Sequence, residues 1–303
     1  MPPPIEEAKP NDQAEQDVRE EMAAKYGWAI SFLKSTPELW KLFLNAVEGE
    51  WDTSQFVAKL RNTKWFKTHG DTARKNAVLQ KTDPATYRRR FESKKAEIQD
   101  LSVQLTGVYL TNGQASLIAR NAMNFDWGEA QLRNTLSMYL KQVGGTKGHF
   151  GGEAGAAEQE LRQYAADQGV TLSDPTIKKW LKGIVAQRNT LQDYKAWIQG
   201  QAESSYSGLG NEIRAGKTVR QLADPYIQEM ANTFELNPVG INLKDPTISD
   251  ALQWQNPDGK VGLMSLGAFR RKLKADGRYL GTKAAKDSAM DVGNAILKDF
   301  GLM

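Results

Sequence analysis

The chain has 303 residues, 40% of them hydrophobic and 25% charged, with a formal net charge of +4; such a balance can bury a core and sets the protein apart from disordered chains. No apolar run approaches the ~18–20 residues that span a bilayer, and the acidic start MPPPIEEAKPNDQAEQDVREE lacks the apolar stretch of a cleavable signal. There is no cysteine and only two histidines, His69 and His149, which excludes disulfides, cysteine zinc sites and thiol nucleophiles and leaves little for a histidine triad or metal site.

Along the chain, charge separates before structure does. Residues 1–21 carry seven acids and two bases, a net of −5, and read as an acidic flexible tail. Residues 57–95 carry twelve Lys/Arg against three Asp/Glu, a net of +9. The tail could shield the basic segment or engage a neighbour.

Helix starts then recur as a short acceptor followed by proline: Thr36-Pro37, Asp83-Pro84, Asp174-Pro175, Asp224-Pro225 and Asp245-Pro246. The acceptor satisfies an orphan amide at the N-cap, and proline at the first helical position needs no donor. After Pro37, Leu39, Leu42, Phe43, Ala46 and Val47 trace one helical face. From Pro84 the apolar positions Tyr87, Phe91, Ile98, Leu101, Leu105 and Val108 predict one long helix over about 84–109. Leu132, Leu136, Tyr139 and Val143 mark another. Residues 144–155, GGTKGHFGGEAG, hold six glycines and no apolar period, which predicts a flexible hinge. Beyond it, Ile177, Leu181, Ile184 and Val185 mark one helix, and Leu191, Tyr194, Ile198 and Ala202 the next. GKVGLM (259–264) is the one stretch that could pair briefly as strands. Thr282 caps a last helix over about 283–299, stopped by Gly301.

Two internal echoes stand out. Asn45–Phe56 (NAVEGEWDTSQF) matches Asn121–Leu132 (NAMNFDWGEAQL) at Asn, Ala, Trp and Gln, as two helix corners plugged by Trp51 and Trp127 would. Phe56–Thr68 resembles Phe269–Thr282, which would make Thr68 and Thr282 caps of the helices that follow. The expected fold is all-α: repeated helix–turn–helix modules in two helical halves, 22–143 and 157–303, joined by a Gly-rich linker at 144–156.

Three chemical readings compete. Gly216-Lys217-Thr218 ends like a phosphate loop, but Gly210 and Gly216 enclose five residues rather than four and no strand precedes them. A helix closing at Gly216 and another capped by Thr218 is the expectation, with no cofactor. Glu48, Glu50 and Asp52 could supply a glycosidase's acid pair, yet acids so spaced at a turn are solvated caps. The basic segment offers Lys64, Trp65, Lys67, Arg74, Lys75, Arg88, Arg89 and Arg90, cations with an aromatic between them, suited to phosphate contact or to an acidic protein surface. Arg88–Arg90, however, point around three sides of one helix rather than along one groove.

The ordered motifs YGWAISFLKSTPEL…NAVEGEWDTSQFVAKLRNTKWFKT…TDPATY (Tyr26–Tyr87), AGKTVRQLADPYIQEMANTFELNPVGINLKDPTISDAL (Ala215–Leu252) and the ending FRRKLKADGRYLGTKA…DFG resemble virion-associated proteins of tailed phages infecting actinobacteria. The resemblance runs from about residue 22 onward. It implies a non-enzymatic structural role in the tail, at the head–tail junction or among ejected internal proteins, after synthesis in the host cytoplasm. Its implied partners are other virion proteins, tail, tape-measure or portal-proximal, and it implies no catalytic residue. The alternative is a helical protein binding nucleic acid through residues 57–95; peptidoglycan hydrolysis is a third reading.

Overall fold

The computed structural model describes residues 30–142 and 148–300; the acidic tail, residues 22–29, Val143, the first residues of the Gly-rich stretch and Gly301, expected to stop the last helix, lie outside them. The described chain is all-α apart from one two-strand antiparallel hairpin, Trp254–Gln255 with Val261–Gly262, near the stretch where brief pairing is expected. Two compact units meet in sequence at Glu153 and Ala154.

The first unit holds α1 (Pro37–Glu48), α2 (Thr53–Asn62), α3 (Lys64–Thr68), α4 (Asp71–Thr82), α5 (Pro84–Thr106), α6 (Asn112–Phe125) and α7 (Glu129–Ser137). The long α5 is the spine: α4, α6 and α7 all pack on it, and α4 also packs on α6. Ile98, Leu105, Ala115, Ile118, Ala119 and Leu136 are buried where these helices meet. Their periodic spacing is what makes one side of each helix insoluble on its own. Polar groups seal the turn between α5 and α6. Gln99 donates to the Leu110 carbonyl at 2.8 Å and accepts from its amide at 3.0 Å, and Ser102 donates to the Val108 carbonyl at 2.8 Å.

The described part of the Gly-rich stretch, 148–155, includes close backbone packing. The last five residues of the expected linker, 152–156, lie in α8 (Gly152–Asp167). Gly151 and Gly152 press against the end of α5: a Cβ on Gly151 would fall 2.8 Å from the Gly107 Cα, and one on Gly152 2.3 Å from the Gln104 carbonyl oxygen. Those glycines allow two backbones to touch.

The second unit continues α8 and adds α9 (Asp174–Val185), α10 (Leu191–Ser205), α11 (Gly210–Arg214), α12 (Val219–Phe234), α13 (Pro246–Leu252), α14 (Leu266–Ala275) and α15 (Lys283–Asp299). Its core surrounds α12, whose Ile227 and Met230 meet Ile213, Leu252, Phe269 and Leu273. Tyr226 packs edge-on against Phe269 with ring centres 5.2 Å apart, and its hydroxyl donates to the Met264 carbonyl. As expected, Gly216 takes a left-handed φ of 94° and Thr218 caps α12, forming a capping box with Gln221. The phosphate-loop look-alike is a helix corner.

Several expected caps differ. Asp83 and Asp245 cap α5 and α13 directly ahead of proline, but Thr36 makes no side-chain cap bond. Ser173, not Asp174, caps α9, placing Pro175 one position further in. Pro225 lies inside α12. Its missing amide leaves the Gln221 carbonyl without its usual partner, and both residues are exposed, where water can serve that oxygen. Gly70, not Thr68, caps α4, while Thr282 caps α15 by accepting from the Ala285 amide at 3.1 Å.

The two tryptophan corners share a backbone device. Trp51 and Trp127 amides donate to the Ala46 and Ala122 carbonyls at 2.9 and 3.0 Å, after Glu50 and Asp126 turn left-handed. The same five-residue closure ends helices at Val170, Arg188, Lys217 and Leu236. It is thus a general way this chain ends helices. Both tryptophans are half-buried, and the Trp51 ring lies close against Gly49 of its corner.

Candidate interaction surface

The eight residues singled out from the basic segment fall into three settings in the first unit. Trp65 turns inward: its ring stands edge-on to Phe32 at 5.4 Å and stacks on His69 at 4.7 Å. With Phe56, Leu60, Phe66 and Leu79 it lines an apolar cleft of about 450 Å³. Trp65 is therefore half-buried, packed on Phe32 and His69 and bordering the cleft.

Arg74 and Lys75 also reach the rim of that cleft, and both are engaged. Arg74 lies 3.9 Å from the centre of the Phe66 ring and donates to the His69 and Phe66 carbonyls at 2.6 and 3.3 Å. It thereby holds the last turn of α3, whose carbonyls have no helical partner. Lys75 pairs with Asp71 at 2.7 Å. That ammonium, and secondarily the Arg74 guanidinium, holds the Asp71 carboxyl below the usual carboxylate range.

Lys64 and Lys67 are exposed on α3. The first amides of this short helix, which would otherwise be free for an anion, are occupied by a side chain from α1. Glu38 accepts from the Lys64 amide at 2.8 Å and from the Trp65 amide at 2.9 Å. A carboxylate is the favoured partner for such a helix start. Glu38 was not among the sequence-derived candidates, and it stands 26 residues away from Lys64, so no local pattern pointed to it.

Arg88, Arg89 and Arg90 occupy the first turns of α5 and are all exposed. Arg89 donates to the Thr86 hydroxyl at 3.0 Å; among the described residues Arg88 and Arg90 have no salt-bridge partner. The structure therefore splits the basic segment. Trp65, Arg74 and Lys75 line the cleft at α3 and α4, Lys75 with its charge exposed and paired with Asp71, whereas Lys64, Lys67, Arg88 and Arg90 are exposed with no salt-bridge partner among the described residues.

Of the acids weighed for hydrolysis, only Asp52 serves the backbone. Asp52 caps α2, accepting from the Gln55 amide at 2.7 Å, and Glu48 and Glu50 are exposed at the corner before it. Among the described residues no group of three or more His, Asp or Glu side chains is arranged to hold a metal ion, and no helix is long and apolar enough to cross a membrane.

One surface was not read from the sequence as a site. On α15 no residue is buried, and Met290, Val292, Ile296 and Leu297 are exposed, Met290 at 63% and Ile296 at 51%. Its start is tied to the body by Glu235, which accepts from the Lys283 and Ala284 amides, both at 3.1 Å. These two bonds keep the Glu235 carboxyl below its ordinary value. The periodic signal for the helix was visible in the sequence; that none of its residues is buried among the described residues was not. Compared with known proteins, the chain matches no family model, no curated protein and no solved structure.

Proposed function

We propose that the chain is a non-enzymatic structural component of a tailed-phage particle, a minor tail, head–tail junction or internal ejected protein, acting through contacts with other virion proteins. The observation that carries the reading is α15, a 17-residue helix whose apolar residues face solvent. Apolar surface of that kind marks a docking element, because exposing it costs free energy that only a partner removes. The ordered resemblance from residue 22 onward supplies the kind of partner: tail, tape-measure or portal-proximal proteins. Synthesis would be in the host cytoplasm and the final location the virion.

Mass spectrometry of purified particles tests the reading. The chain is expected among the particle proteins, and Ile296→Glu is expected to lower its incorporation while leaving its thermal unfolding unchanged. Presence in lysate with absence from mature particles would instead identify an assembly chaperone and overturn the proposal.

A second reading, nucleic-acid binding through residues 57–95, is favoured by the free cations Lys64, Lys67, Arg88 and Arg90. Counterion release gives it a steep salt dependence, which removal of Arg88 and Arg90 would flatten. No binding at low salt eliminates it.

A further inference from the structure

A second cleft of the first unit, about 470 Å³, opens between α4, the start of α5 and the end of α6. Its size is within the range of small-molecule pockets. Asn76 and Gln80 come from α4, Tyr87 and Phe91 from α5, and Arg120 and Asn124 from α6. His69 completes the wall, and no carboxylate is among the lining residues.

The lining chemistry is specific in kind. Tyr87 and Phe91 lie one helical turn apart with nearly parallel rings, 12° between planes, and offer flat apolar faces. Asn76 donates to the Met123 carbonyl at 2.7 Å, which leaves its side-chain oxygen as an acceptor. Among the described residues no side-chain hydrogen bond or ion pair engages Gln80, Asn124 or Arg120. His69 hydrogen-bonds the Trp65 carbonyl through Nδ1 at 2.8 Å. Since a carbonyl only accepts, Nδ1 carries the proton and Nε2 is left for another partner.

Helix geometry then sorts the arginine triplet. With ~100° between successive residues, Arg88 and Arg90 flank the Tyr87–Phe91 side at about 80° on either hand, and Arg89 points away. The bond from Arg89 to Thr86 fits that orientation. Arg88 and Arg90 are outside the cleft lining but leave α5 on either side of its Tyr87–Phe91 face, while Arg120 lies in the wall itself.

We infer that this cleft binds a nucleoside phosphate. The base lies against the Tyr87 and Phe91 rings with its polar edge on the amides of Asn76, Gln80 and Asn124, and the phosphate meets Arg120 between Arg88 and Arg90. A free nucleotide and a nucleotide within a single strand share this chemistry. A duplex does not, because the base must leave its stack to enter. The inference is independent of the particle reading.

The test uses the full chain and fluorescence anisotropy of a short labelled oligothymidylate at low salt, with AMP, UMP and inorganic phosphate as competitors. Arg120→Ala is expected to weaken strand binding by about tenfold, and each of Arg88→Ala and Arg90→Ala to lower the salt slope by about 0.7. Arg89→Ala, which removes the same charge from the same helix, should change neither. Arg120→Lys should recover part of the loss, since it restores the charge without the planar fork. Displacement by AMP or UMP identifies a mononucleotide as sufficient; strand binding with this variant pattern but no displacement identifies the single strand. Equal weakening by Arg89→Ala and Arg120→Ala, displacement by phosphate as effective as by AMP, or no binding of strand or nucleotide would overturn the inference. Arg120 is exposed, and thermal unfolding of each variant checks that the fold is retained.

Discussion

Single residues in this chain carry meanings that composition does not distinguish. Glycine is the clearest case. The six glycines of residues 144–155 read as a flexible run, yet Gly151 and Gly152 sit where any side chain would strike the α5 backbone. Gly151→Ala is expected to destabilise the first unit by about 1–3 kcal/mol, the range of overpacking at a site that cannot relax, as measured by urea unfolding. A flexible connector would tolerate the change with no loss. Arginine is the second case. Arg74 looked like a phosphate contact in sequence, but it braces α3 through Phe66 and two carbonyls. Arg278 plays a comparable part in the second unit, pairing with Asp276 and Asp245 and lying 4.7 Å from the Phe234 ring centre. These pairings, first the bond to Asp276, raise the Arg278 pKa and hold its charge. Its side chain is 42% exposed, so solvent screens the ion pairs. Arg278→Ala should therefore cost only about 1–2 kcal/mol in thermal or urea unfolding, with packing on Phe234 included.

At the scale of elements, most helices were legible because capping and periodicity agree. The expected helix at 84–109 is α5, Pro84–Thr106, and the last expected helix is α15 with Thr282 as its cap. The misses have local causes. Pro225 reads as a helix start, but the capping box of Thr218 and Gln221 seven residues earlier had already begun α12. Thr68 has its hydroxyl bonded to the Lys64 and Trp65 carbonyls, which makes it the end of α3 and leaves the cap to Gly70. Long-range carboxylates at helix starts could not be read at all, since Glu38 and Glu235 are distant from the amides they accept from. The second makes α15 sensitive to acid. Its folded-state pKa lies below the ordinary value, so the stabilisation is present above the unfolded pKa and is lost as pH falls through the lower folded one. Hydrogen exchange at Lys283 and Ala284 should accelerate relative to the α12 core as pH drops through that window. In Glu235→Gln that additional acid-induced acceleration should be absent.

Across the whole molecule, stability and exposure are divided between different helices. Ile227 on α12 is fully buried in the second unit's core, whereas Ile296 on α15 is half exposed. Ile227→Ala should cost about 2–5 kcal/mol in urea unfolding, and Ile296→Ala within about 0.5 kcal/mol. A loss at Ile296 comparable to that at Ile227 would mean that α15 packs on the body, and the docking argument would fail. The basic character of residues 57–95 is likewise divided by packing, with Arg74 and Lys75 engaged and Lys64, Lys67, Arg88 and Arg90 free.

The sequence by itself determined the helical class and most helix starts, because those depend on interactions within a few residues: a capping hydroxyl, a proline and an apolar period. It also determined that Gly216-Lys217-Thr218 is a corner, since the spacing of a phosphate loop is missing. Only the tertiary structure decided which charges are free and which brace a helix, that Gly151 serves contact, and that α15 buries none of its residues among the described ones. Those properties belong to pairs of residues far apart in the chain, such as Glu38 with Lys64, Gly107 with Gly151, or Tyr87 with Arg120. Their proximity is fixed by helix packing, and local spacing carries no trace of it.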